Sequence, residues 1–397
     1  MPFSGRVNKI GISPTMKIAA QAMEMKALGE KIIDLSVGEP DFPTPDNIKN
    51  AAKSALDLNH TRYTLNQGTI ELRNAIVKKL KNKNGVDYLP EETIVSAGAK
   101  QSIFNAVQSL VNDGDEVIYA SPYYVSYPEM VTLANGRSVV IKTGEAQNFL
   151  LTPSQLEEAI TPSSKLLILN YPCNPTGSCY TKNELSSIAE IVLKNNLYVI
   201  SDEIYENLLY DDKEFVCFAS LDGEIKKRTV VVNGFSKSYA MTGWRIGYGA
   251  GPANIISAMN KIQSHSTSNA SSISQAAALE ALNGPQSFIQ EMRLEYAKRR
   301  DFIYEQLKSI EGVTSHKPAG AFYLLPNISN YFKRSHQLFR IENSFDLAMY
   351  LLHEAKVATV PGSSFGAEGY IRISYSTSME NLKEAAARIK YALGNLK

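Results

Sequence analysis

The sequence predicts an α/β protein of two domains, the larger one built on a mostly parallel, doubly wound sheet. Between residues 93 and 250, short apolar segments alternate with longer helical segments, which is the pattern of a parallel sheet. The length of 397 residues exceeds what one compact core accommodates. Near Pro285 the composition changes to a long charged helix followed by short strands, which predicts a second, smaller α/β domain.

Composition argues against several functional classes. The net charge is +1, from 41 basic and 40 acidic residues, and gives no sign of a nucleic-acid partner or an anionic membrane surface. No apolar run approaches the roughly 20 residues of a membrane-spanning helix, and the N-terminus lacks the apolar core of a signal peptide. The three cysteines have neither metal-binding nor redox spacing. These observations predict a cytoplasmic protein without a metal site.

Three helices, one strand and two loops are predicted before the main sheet. The elements predicted here are a helix over 13–29, a strand over 31–37, a proline-rich loop over 38–45, a helix from Asp46 to about 58, a loop over 62–68 and a helix over 71–83.

The strands of the main sheet are apolar and short. They are predicted over 93–96, 116–119, 138–141, 165–169, 197–200, 229–232 and 245–250. The helices between them are predicted over 99–111 and 123–134. Two more are predicted after the capping boxes that begin at Thr152 and Thr181, and the helix after Thr181 is expected to end near 195.

The C-terminal part has its own helices and strands. They are predicted as a helix over 285–310, strands over 321–325, 357–359 and 371–374, and helices over 344–355 and 379–393. We expect residues 46–285 to form the large domain and residues 1–45 with 286–397 to form the small one. The polar stretch 264–274 is interpreted as an active-site rim or a dimer loop.

The stretch 229–247 carries the strongest chemical signal. A buried strand ends at Asn233-Gly234, and Lys237 and Arg245 follow in the loop. Ligands of open α/β sheets bind at the carboxyl ends of strands, where burial and a second cation lower the pKa of a lysine. A nucleophilic amine beside a phosphate-binding arginine suits a Schiff base with pyridoxal phosphate. For any single lysine in a loop, however, a solvated charge is the favoured interpretation.

Four more residues lie at or beside strand ends. Asn174 is either a turn residue or a ligand of the site, and Asp202 is either a helix cap or a functional acid. Tyr205 follows Asp202 by three residues, so one turn of helix would point both the same way. Arg372 is flanked by apolar residues on a strand and needs an anionic partner, which a structural carboxylate or a substrate could supply.

Together and in this order, these segments resemble one family over essentially the whole chain. The motifs are SVGEPDFPTP, NPTG, SDEIYE, the SK loop with GWRIG, and YIRISY. They are similar to those of the class I aminotransferases of fold type I, which depend on pyridoxal 5′-phosphate and have a seven-stranded sheet in the large domain. The segments SPYYVSYPEM, SAGAKQ, YTLNQGTIELR and AMTGWRIGY are most similar to the bacterial-type aspartate aminotransferases.

The resemblance implies a role for each strand-end residue. Lys237 would hold the cofactor covalently and, once released, move the substrate's proton. Asp202 would pair with the pyridinium nitrogen and keep it protonated. Tyr205 and Asn174 would bind the phenolate oxygen of the ring, and Arg245 would bind the phosphate.

It also implies further cofactor contacts. The backbone at Gly98, Ala99 and Lys100, at the start of a helix, would complete the phosphate site. Ser236 would help there, because a hydroxyl residue common in relatives three positions before the lysine is absent. Tyr124 would stack on the ring, at a place where many relatives have tryptophan.

Tyr63 implies a homodimer with shared active sites. By resemblance it would reach the phosphate of the neighbouring subunit. The alternative is that the ring fills a crevice in its own chain.

The substrates implied are an amino acid and a 2-oxo acid. Arg372 would bind the α-carboxylate, near the backbone of Gly38, with Asn174 and Tyr124 beside the substrate. In the subgroup that this chain resembles, a lysine and a threonine matching Lys100 and Thr15 bind the distal carboxylate. The leading hypothesis is therefore transamination of L-aspartate with 2-oxoglutarate, which gives oxaloacetate and L-glutamate.

Other functions remain open at this stage. An aromatic or broad-range aminotransferase and a β-lyase share the same fold. A prephenate aminotransferase would carry a lysine where Gly11 stands. A non-catalytic regulatory domain that binds pyridoxal phosphate is disfavoured by the intact functional set, and the 247–251 segment lacks the full dinucleotide fingerprint.

Overall fold

The computed structural model describes residues 3–11 and 14–397, without the side chains of residues 14–16. Its α-helices are α1 (Gly5–Lys9), α2 (Pro14–Ala27), α3 (Asp46–Asp57), α4 (Ile70–Asn84), α5 (Ala99–Leu110), α6 (Tyr127–Leu133), α7 (Pro153–Ala159), α8 (Lys182–Lys194), α9 (Gly223–Lys226), α10 (Ala253–Ser264), α11 (Ser272–Asn283), α12 (Ser287–Lys308), α13 (Ser344–Tyr350) and α14 (Met379–Gly394).

The strands are short, as expected of an α/β protein. They are β1 (Ile33–Asp34), β2 (Thr93–Ser96), β3 (Glu116–Ser121), β4 (Arg137–Lys142), β5 (Ser164–Asn170), β6 (Tyr198–Asp202), β7 (Thr229–Gly234), β8 (Gly247–Ala250), β9 (Tyr323–Leu324), β10 (Ser335–His336), β11 (Phe339–Arg340), β12 (Val357–Ala358), β13 (Val360–Pro361) and β14 (Ile371–Ser374).

Seven strands form the central sheet in the order β2-β8-β7-β6-β5-β3-β4. The five strands from β7 to β4 pair in parallel, whereas β8 is antiparallel to both β7 and β2. Strand β7 is buried along its whole length, which explains its continuous apolar run. The expected mostly parallel sheet of seven strands is confirmed.

Smaller sheets lie outside this one. Strand β1 pairs in parallel with β12, and β14 lies between β13 and β9 in an antiparallel sheet. The N-terminal segment is thereby joined to the C-terminal part of the chain. A large core cluster contains Ile33 and Leu35 together with many residues between Met292 and Leu396.

Four helices were not predicted from the sequence: the short helices α1 and α9, and the twelve-residue helices α10 and α11. Helix α10 buries Ile255, Ile256 and Met259 against the rest of the chain, and α11 buries mainly alanines. The polar stretch 264–274 is only partly a loop, because α10 ends at 264 and α11 begins at 272, where the Ser271 side chain accepts from the backbone of Ser274.

Several predicted elements are shorter than expected, among them the strand predicted over 321–325, which keeps only Tyr323–Leu324. The strand predicted over 31–37 keeps only two residues, because its pairing with β12 covers no more. Helix α6 begins at Tyr127 rather than at 123, with Pro128 in its first turn, where proline is tolerated. The helix predicted over 344–355 is α-helical to Tyr350 and continues as a π-helical turn over Leu351–Ala355.

Within the described residues, no helix is both long enough and apolar enough to cross a membrane. All three cysteines are free in the structure.

Candidate active site

A cavity of about 390 Å³ opens at the carboxyl ends of β5, β6 and β7. The residues that line it are Val37, Gly38, Glu39, Ala99, Lys100, Ile103, Tyr124, Asn170, Asn174, Asp202, Ile204, Tyr205, Ser236, Lys237, Thr242, Arg245, Tyr323 and Arg372. The structure thus brings together most of the residues predicted from the sequence. The parallel strands explain this, because their carboxyl ends meet at one edge of the sheet.

Lys237 reaches into this cavity. Its amine donates a hydrogen bond to the backbone oxygen of Gly38. Its Nζ also lies 5.8 Å from the ring centre of Tyr205 and 5.7 Å from that of Phe322. Burial, and then the positive charge of Arg372, lower the pKa of Lys237 from 10.5 to about 8. The unprotonated, nucleophilic amine is therefore a minority at neutral pH, but a far larger fraction than in an ordinary lysine.

Asp202 ends strand β6 and is only 4% exposed. Its Oδ2 accepts a hydrogen bond of 2.7 Å from the Tyr127 hydroxyl. Among the described residues, its Oδ1 has no hydrogen-bond partner. Burial raises the pKa of the carboxyl to about 6, whereas the hydrogen bond from Tyr127 opposes that rise. A buried carboxylate with an unpaired oxygen fits a cationic ligand that donates a hydrogen bond.

Tyr205 and Tyr323 form a pair at the wall of the cavity. Their hydroxyl oxygens are 2.8 Å apart, and both side chains are almost completely buried. Their rings meet edge to face, with centres 5.8 Å apart. Burial holds the pKa of Tyr205 well above its usual value, so this phenol stays protonated and can donate a hydrogen bond.

Arg372 enters from strand β14. Its Nη1 donates to the side-chain oxygen of Asn174 at 3.1 Å, and its Nη2 donates to the backbone oxygen of Ser36 at 2.6 Å. Its guanidinium carbon lies 4.5 Å from the ring centre of Tyr323. No carboxylate of the described residues forms an ion pair with Arg372. A structural carboxylate, the alternative partner considered from the sequence, is therefore not what neutralises this arginine. The buried guanidinium fits an anionic ligand.

A second cationic corner forms at the start of α5. Gly98 precedes the helix with a φ of +85°, and a Cβ atom there would lie 2.5 Å from Nη2 of Arg245. Glycine therefore lets the guanidinium lie close to the helix N-terminus. Arg245 is itself exposed and donates to the backbone oxygen of Thr242 at 2.7 Å. An exposed guanidinium beside a helix N-terminus is a favourable environment for a phosphate.

The remaining predicted residues are placed as follows. Lys100 and Tyr124 both line the cavity, with Nζ of the lysine 5.5 Å from the ring centre of the tyrosine. Ser236 also lines it. Tyr63 is 90% exposed and does not fill a crevice in its own chain. The side chain of Thr15 lies outside the described residues.

Sequence reasoning missed three polar contributors to the site. Tyr127 bonds Asp202, Tyr323 bonds Tyr205, and Glu39 accepts a hydrogen bond of 2.8 Å from Thr242. Glu39 lies inside a motif that was recognised, so its position was a usable signal. The two tyrosines lie in regular secondary structure, far along the chain from their partners.

The comparisons with known proteins agree with this geometry. The model for "Aminotransferase class I and II" matches residues 30–389, and the chain belongs to this family. An aspartate aminotransferase of Bacillus sp. (strain YM-2) is 48% identical over 98% of both chains. A probable aspartate/prephenate aminotransferase of Rickettsia bellii is 48% identical over 99% of both. The crystal structure of the aspartate aminotransferase from Rhizobium meliloti aligns over 100% of both chains with a TM-score of 0.96 and 42% identity.

The protein is thus an aminotransferase, and its cofactor is pyridoxal 5′-phosphate. The residues of the cavity fit this group in three respects. Asp202 offers a buried, unpaired oxygen for a ring N–H, Lys237 offers an amine of lowered pKa for the aldehyde, and Arg245 with the start of α5 offers an anion site for the phosphate.

Proposed function

We propose that the protein transfers the amino group of L-aspartate to 2-oxoglutarate, giving oxaloacetate and L-glutamate. The observation that carries this proposal is the presence of four cationic side chains around one cavity: Lys100, Lys237, Arg245 and Arg372. Lys237 serves as the nucleophile, and Arg245 binds the phosphate. The remaining two, Lys100 and Arg372, match the two carboxylates of aspartate. The names of the relatives from Bacillus and Rhizobium support this substrate.

Pyridoxal 5′-phosphate, when bound, supplies an aldehyde that accepts the amino group and a ring that withdraws electrons from it. Lys237 would hold the cofactor through its aldehyde carbon, and its amine, once freed by the substrate amine, would move the proton of the substrate α-carbon to the cofactor. Its pKa of about 8 suits this transfer near neutral pH. Asp202, as a carboxylate, holds a proton on the ring nitrogen. Tyr205 donates a hydrogen bond to the phenolate oxygen of the ring.

Substrate orientation depends on a second set of residues. Arg372 binds the α-carboxylate with two parallel hydrogen bonds, which its planar guanidinium allows. Asn174, already bonded to Arg372, fixes the angle of the guanidinium. Gly38 leaves room for the carboxylate beside its backbone, and Tyr124 stacks on the ring. Lys100, which lines the cavity, contacts the distal carboxylate of aspartate.

Phosphate binding is assigned to one corner of the cavity. Arg245 and Ser236 contact the phosphate from the loop after β7. The backbone N–H groups of Ala99 and Lys100 contact it from the helix N-terminus, with Gly98 leaving space for the guanidinium.

A second candidate substrate is prephenate. The relative from Rickettsia bellii carries an aspartate/prephenate name, and prephenate also has two carboxylates that Arg372 and Lys100 would bind. Gly11, where a lysine is expected for this activity, argues against it.

We further propose a cytoplasmic homodimer with shared active sites. Tyr63 is 90% exposed, and Leu56, Leu58 and Leu65 in the same stretch are each more than half exposed. A concentration of exposed apolar side chains is typical of a surface that a partner covers. Sedimentation equilibrium should give twice the 43.8 kDa mass of the chain. A monomer that retains full activity would contradict the shared site.

Domain movement is part of the proposal. Residues 46–285 would form the large domain, and residues 1–45 with 286–397 would form the small one, which closes over the substrate. Most members of one core cluster lie in the two terminal segments, which supports this division. Four residues of 46–285 pack into the same cluster, namely Ile204, Tyr205, Leu208 and Tyr210. Small-angle scattering with and without a dicarboxylate inhibitor should show a smaller radius of gyration in its presence.

The activity itself is tested by coupling oxaloacetate formation to its reduction by malate dehydrogenase. We expect turnover with aspartate and 2-oxoglutarate to exceed turnover with phenylalanine and 2-oxoglutarate. It should also exceed turnover with glutamate and prephenate. These two reactions form no oxaloacetate, so their own products are measured directly. If prephenate or phenylalanine reacts faster, that compound would be assigned as the substrate in place of aspartate.

A further inference from the structure

Tyr323 touches two functional groups at once. Its hydroxyl oxygen lies 2.8 Å from that of Tyr205, and its ring lies under the guanidinium of Arg372, 4.5 Å away. The side chain is fully buried and lines the cavity. It therefore connects the residue that faces the cofactor oxygen with the residue that faces the substrate carboxylate.

The position of this hydroxyl is tightly constrained. A Cβ atom on Gly38 would lie 3.1 Å from it. The Tyr323 ring also packs against Phe322, with centres 4.7 Å apart. Glycine at position 38 therefore leaves space for the Tyr323 hydroxyl as well as for a ligand.

The number of protons available decides which tyrosine hydroxyl donates to the other. A phenol has one proton to donate. If Tyr205 donates that proton to the phenolate oxygen of the cofactor, its own oxygen is left to accept. The proton between the two tyrosines must then come from Tyr323.

We propose that Tyr323 is a positioning residue, whose hydroxyl donates to Tyr205 and so directs the proton of Tyr205 toward the phenolate oxygen of the cofactor. This inference rests on the proposed role of Tyr205. A hydrogen bond accepted by a hydroxyl strengthens the bond that the hydroxyl donates. Tyr323 therefore helps to keep the phenolate oxygen negatively charged.

The test is a pH titration of the visible absorbance of the holoenzyme. Tyr205→Phe removes the donor itself and should raise the titration midpoint. Tyr323→Phe should raise it in the same direction but less, by roughly 0.5 pH unit, the size expected when one neutral hydrogen bond acts indirectly. In the double variant, Tyr323→Phe should add nothing to the effect of Tyr205→Phe.

A matched control separates this effect from a general structural one. Tyr375 is equally buried and directly follows the neighbouring strand β14, but its hydroxyl donates to the backbone oxygen of Ala321. Tyr375→Phe should leave the midpoint unchanged. Replacing Tyr323 by 3,5-difluorotyrosine, a stronger donor, should lower the midpoint without removing the hydroxyl.

Two results would overturn the inference: an unchanged midpoint in Tyr323→Phe, or an equal shift when Tyr205 is already phenylalanine. If the wild-type spectrum responds to aspartate while Tyr323→Phe titrates like the wild type, the inference about Tyr323 fails alone. A wild-type protein without a visible cofactor band would overturn both this inference and the proposed function.

Discussion

Arg372 donates a hydrogen bond of 3.1 Å to Asn174, although the two residues are 198 positions apart in the chain. The bond joins strand β14 of the C-terminal sheet to the loop that follows β5 of the central sheet. Asn174 therefore restrains the orientation of the guanidinium, and the proposed binding of the substrate carboxylate by Arg372 would draw on both parts of the chain.

Arg372→Lys should raise the KM for every amino-acid substrate by roughly 10- to 100-fold, because lysine keeps the charge but loses the bidentate geometry. Steady-state kinetics with aspartate and glutamate measure the effect. Arg340→Lys, at an exposed arginine in the hairpin of β10 and β11, is the control and should leave KM unchanged. Equal KM values for Arg372→Lys and the wild type would remove Arg372 from the substrate site.

Asp202→Asn should raise the thermal stability of the apo-protein at pH 8 and lower the activity of the holoenzyme. The folded-state pKa of about 6 exceeds the ordinary value of 3.8, so ionisation of Asp202 makes apo-protein stability fall as the pH rises from about 4 to 6. Asparagine keeps an oxygen for the Tyr127 hydroxyl but carries no charge. The apo variant should therefore unfold a few degrees above the apo wild type at pH 8, and the difference should disappear near pH 4.

The same variant should lose at least about 100-fold in transamination rate, because its amide cannot hold a proton on the ring nitrogen as a carboxylate does. Calorimetry of the apo-proteins and a coupled assay of the holoenzymes measure the two effects. A lower unfolding temperature at pH 8 would show that Asp202 stabilises the fold rather than serving the cofactor.

Lys237 should react with aldehydes at unusually low pH. Its amine is largely protonated below its pKa of about 8 and neutral above it, so the rate of pyridoxal phosphate uptake by the apo-protein should rise through pH 8. Lys227, which pairs with Glu224 at the surface, provides a control through Lys227→Ala, which should not alter this profile. A rate that rises only near pH 10 would contradict the lowered pKa.

Lys100→Ala should affect substrates selectively. Loss of one charge-assisted hydrogen bond should raise the KM for aspartate by roughly 10- to 100-fold, whereas the KM for phenylalanine, which has no distal carboxylate, should change little. Kinetics with both amino acids test this. Equal effects on the two KM values would make Lys100 a general contributor to the site and would weaken the aspartate assignment.

Much of the central sheet could be predicted because its buried parallel strands are continuous apolar runs, as in Val230 to Val232. Strand β8 was harder, because its sequence GYGA is half glycine and its direction is antiparallel. Helix α11 was missed because its buried face consists mainly of alanine and serine, which give little hydrophobic contrast.

Some residues of the site could likewise be predicted from the sequence, and others could not. Lys237, Asp202 and Asn174 were predictable because each lies at or after the carboxyl end of a strand, and parallel strands bring such positions together. Tyr127 and Tyr323 were not predictable in this way, because they meet partners 75 and 118 residues away through tertiary packing alone.

The most direct test of the central claim is the absorbance spectrum of the purified protein before and after aspartate is added. We expect a visible band from the cofactor bound to Lys237, replaced after addition by a near-ultraviolet band of the aminated cofactor. A visible band that aspartate does not change would keep the cofactor and contradict the substrate. A spectrum with no visible band, even after pyridoxal phosphate is supplied, would contradict the role of Lys237 itself.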